Sequence, residues 1–243
     1  MSNTVLTAIW WGGFAAISLL VGFVLSGRGL SNRSIGIIMG IGAGALISAI
    51  AYELVPESML VGPGMALAFG LGALTFFMGD WVVDRRGGAD RKDITGEATG
   101  GSGAAIFIGT LLDNVPESII LGMGLAIGGA VNLAFLAAVF VSNLPEGVAG
   151  SVNLQAAGRS RREVFWMWAT LVVISAMCAG LGYLLIGWMP GADGHIAQAF
   201  AAGAMLTMLA DAMMPEAFEH GGMLVGIFTV LGFLASAMLS VLQ

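Results

Sequence analysis

Long apolar segments separated by short polar ones cover almost the whole chain. Each segment is near or above the ~20 residues that a helix needs to cross the hydrocarbon core of a bilayer. Only helices satisfy their own backbone hydrogen bonds at that length, so we predict an all-α integral membrane protein with eight transmembrane helices in a single domain. The predicted spans lie at roughly 4–26, 34–58, 63–83, 103–127, 131–157, 164–189, 195–216 and 221–241.

Composition narrows the class of protein. Hydrophobic residues make up 58% of the chain and charged residues 10%, which excludes an ordinary soluble domain. Cys178 is the only cysteine and falls within a predicted span, so we expect no intrachain disulfide. We expect the first segment to be a retained span rather than a signal peptide. Any activity then resides in the bilayer, and we expect no enzymatic activity, no prosthetic group and no nucleic-acid partner.

The basic residues predict the orientation. All nine lie in three alternating connections, and the intervening connections have none: Arg28 and Arg33; Arg85, Arg86, Arg91 and Lys92; Arg159, Arg161 and Arg162. The positive-inside rule places these connections in the cytoplasm and both termini outside, in a multi-pass protein of the plasma (inner) membrane. The longest connection, 84–102, is rich in glycine and charge, and we predict a flexible cytoplasmic loop there.

A proline–glutamate pair occurs four times within or at the end of apolar segments: Pro56-Glu57, Pro116-Glu117, Pro145-Glu146 and Pro215-Glu216. An acidic residue at the centre of a membrane helix costs about 2.5–3.5 kcal/mol on insertion scales. Proline also lacks the donor that would bond the carbonyl four residues earlier. A costly acid beside a freed carbonyl predicts oxygen ligands for a cation.

Two pairs of segments match in opposite directions across the membrane. Aligned on their Pro-Glu pairs, Gly44-Ala-Leu-Ile-Ser-Ala-Ile-Ala of the second segment matches Gly203-Ala-Met-Leu-Thr-Met-Leu-Ala of the seventh. Likewise, Asp113-Asn-Val-Pro-Glu-Ser of the fourth matches Ser142-Asn-Leu-Pro-Glu-Gly of the fifth. Because both pairs are antiparallel, we predict an inverted 3+2+3 repeat, with spans 4 and 5 as the core and the substrate site near the midplane.

The central segments carry the candidate metal ligands. Helical spacing places Asp113 and Glu117 on one face of span 4, with Asn114 beside them. Span 5 repeats the spacing, so facing helices would bring together three carboxylates, two amides and a hydroxyl. The span 5 members are Ser142, Asn143 and Glu146. Such ligands suit a divalent cation. Alternatively, Asn and Ser join the helices while the acids face a hydrated cavity.

These motifs resemble the ZIP family of divalent metal transporters, and most closely its bacterial branch. Leu112-Asp-Asn-Val-Pro-Glu-Ser-Ile and Ser142-Asn-Leu-Pro-Glu-Gly-Val lie on consecutive spans of an eight-span chain with both termini outside. The resemblance implies transport of zinc, manganese, iron or a related ion toward the cytoplasm. It implies that the six residues above are the metal ligands.

Some positions depart from the family pattern. The family commonly has histidine where this chain has Asp113, and a stronger ligand than serine where it has Ser142. An acidic ligand expected on span 6 is missing, and the nearest candidates there are Ser175, Met177 and Cys178. A site that lacks histidine and uses oxygen ligands predicts a weaker preference for zinc.

Other polar residues suggest a route for the ion. We predict entry past Glu53 and Glu57 and release past Asp211 and Glu216, four acids near the outer and inner ends of spans 2 and 7. His195 and His220 are expected to be merely exposed, and Asp80 to be an interfacial acid at a helix end. Small-residue faces on spans 1 and 2 would permit a homodimer.

Two other functions fit the sequence less well. One is a ZIP-like membrane sensor or scaffold that does not transport. The other is an intramembrane aspartyl hydrolase that uses Asp80 and Asp113, whose surroundings lack a matching motif.

Overall fold

The computed structural model describes residues 4–55, 63–89, 103–188 and 194–242, and they contain eight helices long and apolar enough to cross a membrane. No strand occurs in these residues. The all-α prediction is thereby confirmed, as is the presence of eight segments able to span a bilayer. The helices are α1 (Val5–Ser26), α2 (Asn32–Leu54), α3 (Pro63–Gly88), α4 (Gly103–Gly128), α5 (Leu133–Ala156), α6 (Arg161–Trp188), α7 (His195–Gly221) and α8 (Leu224–Val241).

Helix α3 extends beyond its predicted apolar span. Its last turn, Asp84–Gly88, is a π-helical turn in which Gly87 has a left-handed φ of 94°. The Arg85 guanidinium lies 3.8 Å from the centre of the Trp81 ring, so a long basic side chain can continue the helix past the apolar boundary. The segment 84–88 is therefore helical, whereas we predicted it as part of a loop; residues 90–102 lie outside the described residues.

The extension of α3 also changes the setting of Asp80. We expected an interfacial acid at a helix end, but the helix continues past this residue. Asp80 lies two turns before the end of α3 and is only 3% exposed. Its neighbour Gly79 faces the Leu112 side chain of α4, because α3 packs against α4 at this level.

Helices α2 and α7 each contain a π-helical turn just before a proline. The turns are Ile50–Leu54 in α2 and Leu209–Met213 in α7. In α7, Pro215 cannot donate to the Asp211 carbonyl four residues earlier and its ring crowds that turn, so a locally wider turn relieves the clash. The predicted Pro56-Glu57 pair itself lies outside the described residues.

The helices pack in two groups. In the first, α1 packs along α5 and α6, and α4 packs along α6. In the second, α2 packs along α8 and the last turns of α7, while α3 packs along α7. Helix α2 also packs on α5 and joins the groups. The arginines at the ends of α1, α3, α5 and α6 lie at one end of the bundle, which we call the basic end.

Glycines allow the α2–α8 and α3–α7 helices to approach closely. A Cβ atom on any of four glycines would overlap a main-chain carbonyl oxygen of the facing helix. Gly44 faces Thr229 and Gly232 faces Ile41 at the α2–α8 crossing; Gly203 faces Phe69 and Gly72 faces Phe200 at the α3–α7 crossing. Small residues are used for backbone approach in membrane bundles.

The small-residue faces that we associated with a homodimer are used within the chain. On α2, Gly36 packs against Gly221 and Gly40 packs against Val225. On α1, Gly12 packs against α6 and Gly22 against α5. These glycines are therefore buried within one protomer.

Candidate metal centre

The polar residues of α4 form a buried group in the middle of the helix. Asp113, Asn114 and Glu117 are each only 1% exposed. Asn114 donates from Nδ2 to the carbonyl oxygen of Thr110 at 2.9 Å, which fixes its side chain along the helix. Two carboxyl groups and an amide oxygen therefore lie on the inner face of α4.

The matching residues of α5 are buried to the same degree. Ser142, Asn143 and Glu146 are at most 4% exposed. Ser142 donates from Oγ to the carbonyl oxygen of Val139 at 2.9 Å. Helix α2 closes over this part of α5, since a Cβ on Gly42 would lie 2.8 Å from Ser142 Cα. The site is therefore enclosed by three helices at this level.

A hydrogen bond between the two asparagines joins α4 to α5. Asn143 donates from Nδ2 to Asn114 Oδ1 at 3.0 Å. These residues occupy equivalent positions in the two Asn-x-Pro-Glu motifs, so related parts of the sequence meet here. The expectation that spans 4 and 5 face each other is met at this pair, and the bond gives the asparagines the helix-joining role that was our alternative reading.

Both central prolines lie inside continuous helices. Helix α4 runs through Pro116 and α5 runs through Pro145. Because proline has no N–H, the carbonyls of Leu112 and Val141 still lack their usual intrahelical donors. These two oxygens are potential ligands or water acceptors one turn from the buried acids.

The carboxylates do not form a ready three-acid cluster. Within the described residues, no group of three or more His, Cys, Asp or Glu side chains lies close enough to hold a metal ion. An ion bound here would therefore be held by carboxylates together with amide, hydroxyl or carbonyl oxygens. Alternatively, a small movement of the helices would first bring the carboxylates together.

Helix α6 supplies no acidic ligand. Ser175 is fully buried, and its carbonyl oxygen packs against Gly12 of α1. Met177 is 54% exposed on the outside of the bundle, and Cys178 is half-buried. Of the three candidates that the sequence offered on this helix, the buried one is engaged in packing with α1.

A cavity of about 340 Å³ lies above the central site, at the end of the bundle opposite the basic end. Its polar lining residues are Glu53 of α2, Asn132 before α5 and Gln198 of α7. Ile120 and Leu121 also line it, and they follow Glu117 by one turn of α4. The cavity thus ends about one helical turn from a central carboxyl group.

Glu53 connects three helices at the edge of this cavity. Its carboxylate accepts hydrogen bonds from Asn132 Nδ2 and from Ser240 Oγ of α8. Asn132 also caps α5, because its Oδ1 accepts a bond from the Phe135 N–H at 2.7 Å. Sequence analysis identified Glu53 but missed Asn132 and Ser240. The N-cap position of Asn132 before an apolar run was a usable signal, whereas nothing in the sequence marked Ser240.

The other predicted path residues are separate from this group. Asp211 lies on the exposed side of the π-helical turn of α7. Glu216 is partly buried, and its Oε2 lies 3.4 Å from His220 Nδ1. We expected His220 to be exposed, and this expectation is wrong: its side chain is only 7% exposed, because α7 continues to Gly221 and packs there against α2. Glu57 lies outside the described residues.

Neither protein-family models nor curated proteins gave a match to this chain. The family resemblance therefore rests on the quoted motifs alone.

Proposed function

We propose that this chain is a multi-pass membrane protein that transports a divalent metal cation toward the basic end of its bundle. The observation that carries the proposal is a pair of buried acids, Glu117 and Glu146, on adjoining helices bridged by the Asn143–Asn114 hydrogen bond. Buried acids in an apolar bundle are costly and mark ion pathways. The ZIP resemblance implies the same activity and the same residues.

The exposed apolar side chains on the outer face of α6 support the proposal that the protein is inserted in a bilayer. Large apolar side chains are exposed along it, including Val173, Met177 and Leu181. Exposed tryptophans, Trp166 and Trp188, lie toward its two ends. At 1.5 Å per residue these tryptophans are about 33 Å apart along the helix, close to the thickness of a hydrocarbon core. Tryptophan is enriched at both membrane interfaces.

The glycine crossings support the inverted repeat. Gly44 and Gly203 are partners in the alignment on the Pro-Glu pairs, and each packs on the carbonyl oxygen of another helix. On each of the four helices, the glycine lies three residues after the residue whose carbonyl oxygen packs on the partner helix's glycine. The π-helical turns of α2 and α7 also occupy equivalent positions, because each begins six residues before a proline in the sequence. Two equivalent halves are expected to bind substrate between them.

The proposed route runs from the cavity to the basic end. A cation enters beside Glu53 and Glu57 and binds between α4 and α5, where the candidate ligands are Asp113, Asn114, Glu117, Ser142, Asn143 and Glu146. It leaves past Asp211 and Glu216 when one group of helices shifts against the other. The basic end is then the cytoplasmic end, as the positive-inside rule predicts.

The donor atoms bear on the choice of ion. Carboxylate, amide and carbonyl oxygens favour hard cations such as Mn²⁺ and Mg²⁺, although Zn²⁺ and Fe²⁺ also accept them. We therefore expect the protein to discriminate less sharply in favour of zinc than a site built with histidine.

Purified protein in liposomes tests the function. A metal-sensitive dye inside the vesicles reports influx of Zn²⁺, Mn²⁺, Fe²⁺, Cd²⁺ and Mg²⁺, and protein-free vesicles give the background. We expect influx of at least one ion and a rise in apparent Tm when that ion is added to detergent-solubilised protein. A rise in Tm without influx of any ion would contradict transport and favour the sensor or scaffold.

Glu53→Gln is expected to weaken capture of the ion without slowing its passage. The amide keeps the shape of the side chain but removes the only acidic group among the described residues that line the cavity. We expect KM for metal influx to rise by about 5-fold, equivalent to the loss of about 1 kcal/mol of attraction across about 4 Å of water, with little change in maximal rate. An equal fall in the maximal rate would instead assign Glu53 to the conformational change.

A further inference from the structure

A shallow groove at the basic end combines arginines with adjoining aromatic and apolar side chains. It has a volume of about 540 Å³ and lies between the first turns of α6 and α4. Its polar part is lined by Arg159, Ser160, Arg162 and Glu163; the remainder is lined by Phe107, Trp166, Met167 and Thr170. None of these residues belongs to the proposed transport route.

The lining residues change from charged to apolar along one face of α6. Arg162, Trp166 and Thr170 follow one another at intervals of four residues, so they lie on one face of the helix. Each is about 6 Å farther along the helix axis than the one before it. Trp166 is 59% exposed, and the same side of α6 continues into exposed Val173 and Met177. A phosphate group, a glycerol backbone and an acyl chain follow in that order along a phospholipid.

The two guanidinium groups of the groove differ from that of Arg161. Arg161 is directed to α1, where its guanidinium lies 4.8 Å from the centre of the Phe23 ring. Arg159 lies across the start of α4, since a Cβ on Gly103 would be 3.1 Å from its Nε. Among the described residues, Arg162 has no carboxylate partner.

The one acid of the groove is already engaged by the start of α6. Glu163 Oε2 accepts a bond from the Ser160 N–H at 2.7 Å, and its Oε1 lies 3.6 Å from Arg159 Nη1. The Glu163 N–H in turn donates to Ser160 Oγ at 3.3 Å. The negative charge of the Glu163 carboxylate partly offsets the positive charge of Arg159. It leaves the charge of Arg162 in place.

We propose that this groove binds the headgroup phosphate of an anionic glycerophospholipid from the leaflet at the basic end. Arg162 contacts the phosphate, Arg159 adds a second guanidinium, and the acyl chain lies along the Trp166 face of α6. Guanidinium groups bind phosphate oxygens through two parallel hydrogen bonds. Basic pockets between membrane helices bind anionic headgroups. The site depends on membrane insertion but not on what the protein transports.

Lipid titration of the full chain in detergent tests the site. We expect dioleoylphosphatidylglycerol to raise the apparent Tm by about 5–10 °C at a hundredfold excess over its Kd. Phosphatidylcholine and inorganic phosphate are expected to leave it unchanged. An equal rise with phosphatidylcholine would overturn the headgroup assignment, and an equal rise with inorganic phosphate would make the ligand a soluble anion.

Paired variants locate the binding. Arg159→Gln with Arg162→Gln is expected to weaken the phosphatidylglycerol affinity by about 30-fold, because each basic group near an anionic headgroup contributes about 5-fold. Arg28→Gln with Arg33→Gln removes the same amount of charge at the basic end. We expect it to change the phosphatidylglycerol affinity by less than about 3-fold. Equal losses in both pairs would show general attraction to anionic lipid and overturn the proposal.

Glu163→Gln is expected to strengthen phosphatidylglycerol binding, whereas the arginine variants weaken it. It removes the negative charge beside Arg159, so we expect phosphatidylglycerol to bind about 5-fold more tightly. This variant also keeps the proposal testable if the double arginine variant fails to fold. An unchanged or weaker affinity would argue against a phosphate in this groove.

Discussion

Replacing Glu117 and Glu146 together by alanine is expected to abolish metal influx into liposomes. Both side chains are buried in the centre of the bundle, on helices that the Asn143–Asn114 bond joins. Even groups that only orient metal ligands change affinity or activity by about 10–100-fold, so loss of two ligands should reduce influx by more than about 100-fold. The measurement is the initial rate of influx for each ion that wild-type protein transports.

Two controls separate this effect from misfolding. Glu117→Gln with Glu146→Gln preserves side-chain volume, and we expect the same loss of influx with an apparent Tm within about 4 °C of wild type. Glu219→Ala removes an exposed acid from the last turns of α7 and should leave influx unchanged. Wild-type rates in either double variant would exclude the α4–α5 site from the transport route.

Gly72→Ala is expected to destabilise the bundle strongly. A Cβ at this position would overlap the carbonyl oxygen of Phe200, so α3 and α7 would have to separate. Overpacking of this kind costs about 1–3 kcal/mol. For a chain of this size we expect the apparent Tm in detergent to fall by about 2–4 °C for each kcal/mol lost.

Gly70 provides a matched control on the same helix. It lies two residues earlier and is exposed, and a Cβ there would meet no atom within 4 Å. Gly70→Ala should not lower stability, and we expect it to raise stability by up to about 1 kcal/mol because alanine is the better helix former. If Gly70→Ala and Gly72→Ala lowered the Tm equally, the close α3–α7 crossing would be wrong. Gly203→Ala, on the other side of the same crossing, should resemble Gly72→Ala because it faces the Phe69 carbonyl.

The fold could be predicted from local properties of the chain. Hydropathy and length alone indicated eight spans, and Asn114 and Asn143 were singled out because helical spacing places them beside the buried acids. Burial of the polar side chains of α4 and α5 was also predictable, because polar residues in an apolar bundle avoid lipid. The inverted repeat, the metal and the direction of transport remain predictions.

Contacts between distant segments could not be predicted. Glu53 was recognised as an acid at a helix end, but its donors Asn132 and Ser240 lie 79 and 187 residues away. His220 and Asp80 were misjudged because the helices that carry them run farther than their apolar segments. Charged side chains can extend a helix beyond the hydrophobic boundary, so hydropathy underestimates helix length there.

The sequence by itself determined the number of long apolar helices and singled out the residues that we propose hold a cation. These follow from side-chain hydrophobicity and from spacing along a helix, which are local properties. Only the tertiary structure decided which small-residue faces pack within the chain, which donors hold Glu53, and that the carboxylates form no three-acid cluster among the described residues. Those features depend on distances between helices far apart in sequence, and shifts of an ångström or two in packing change them.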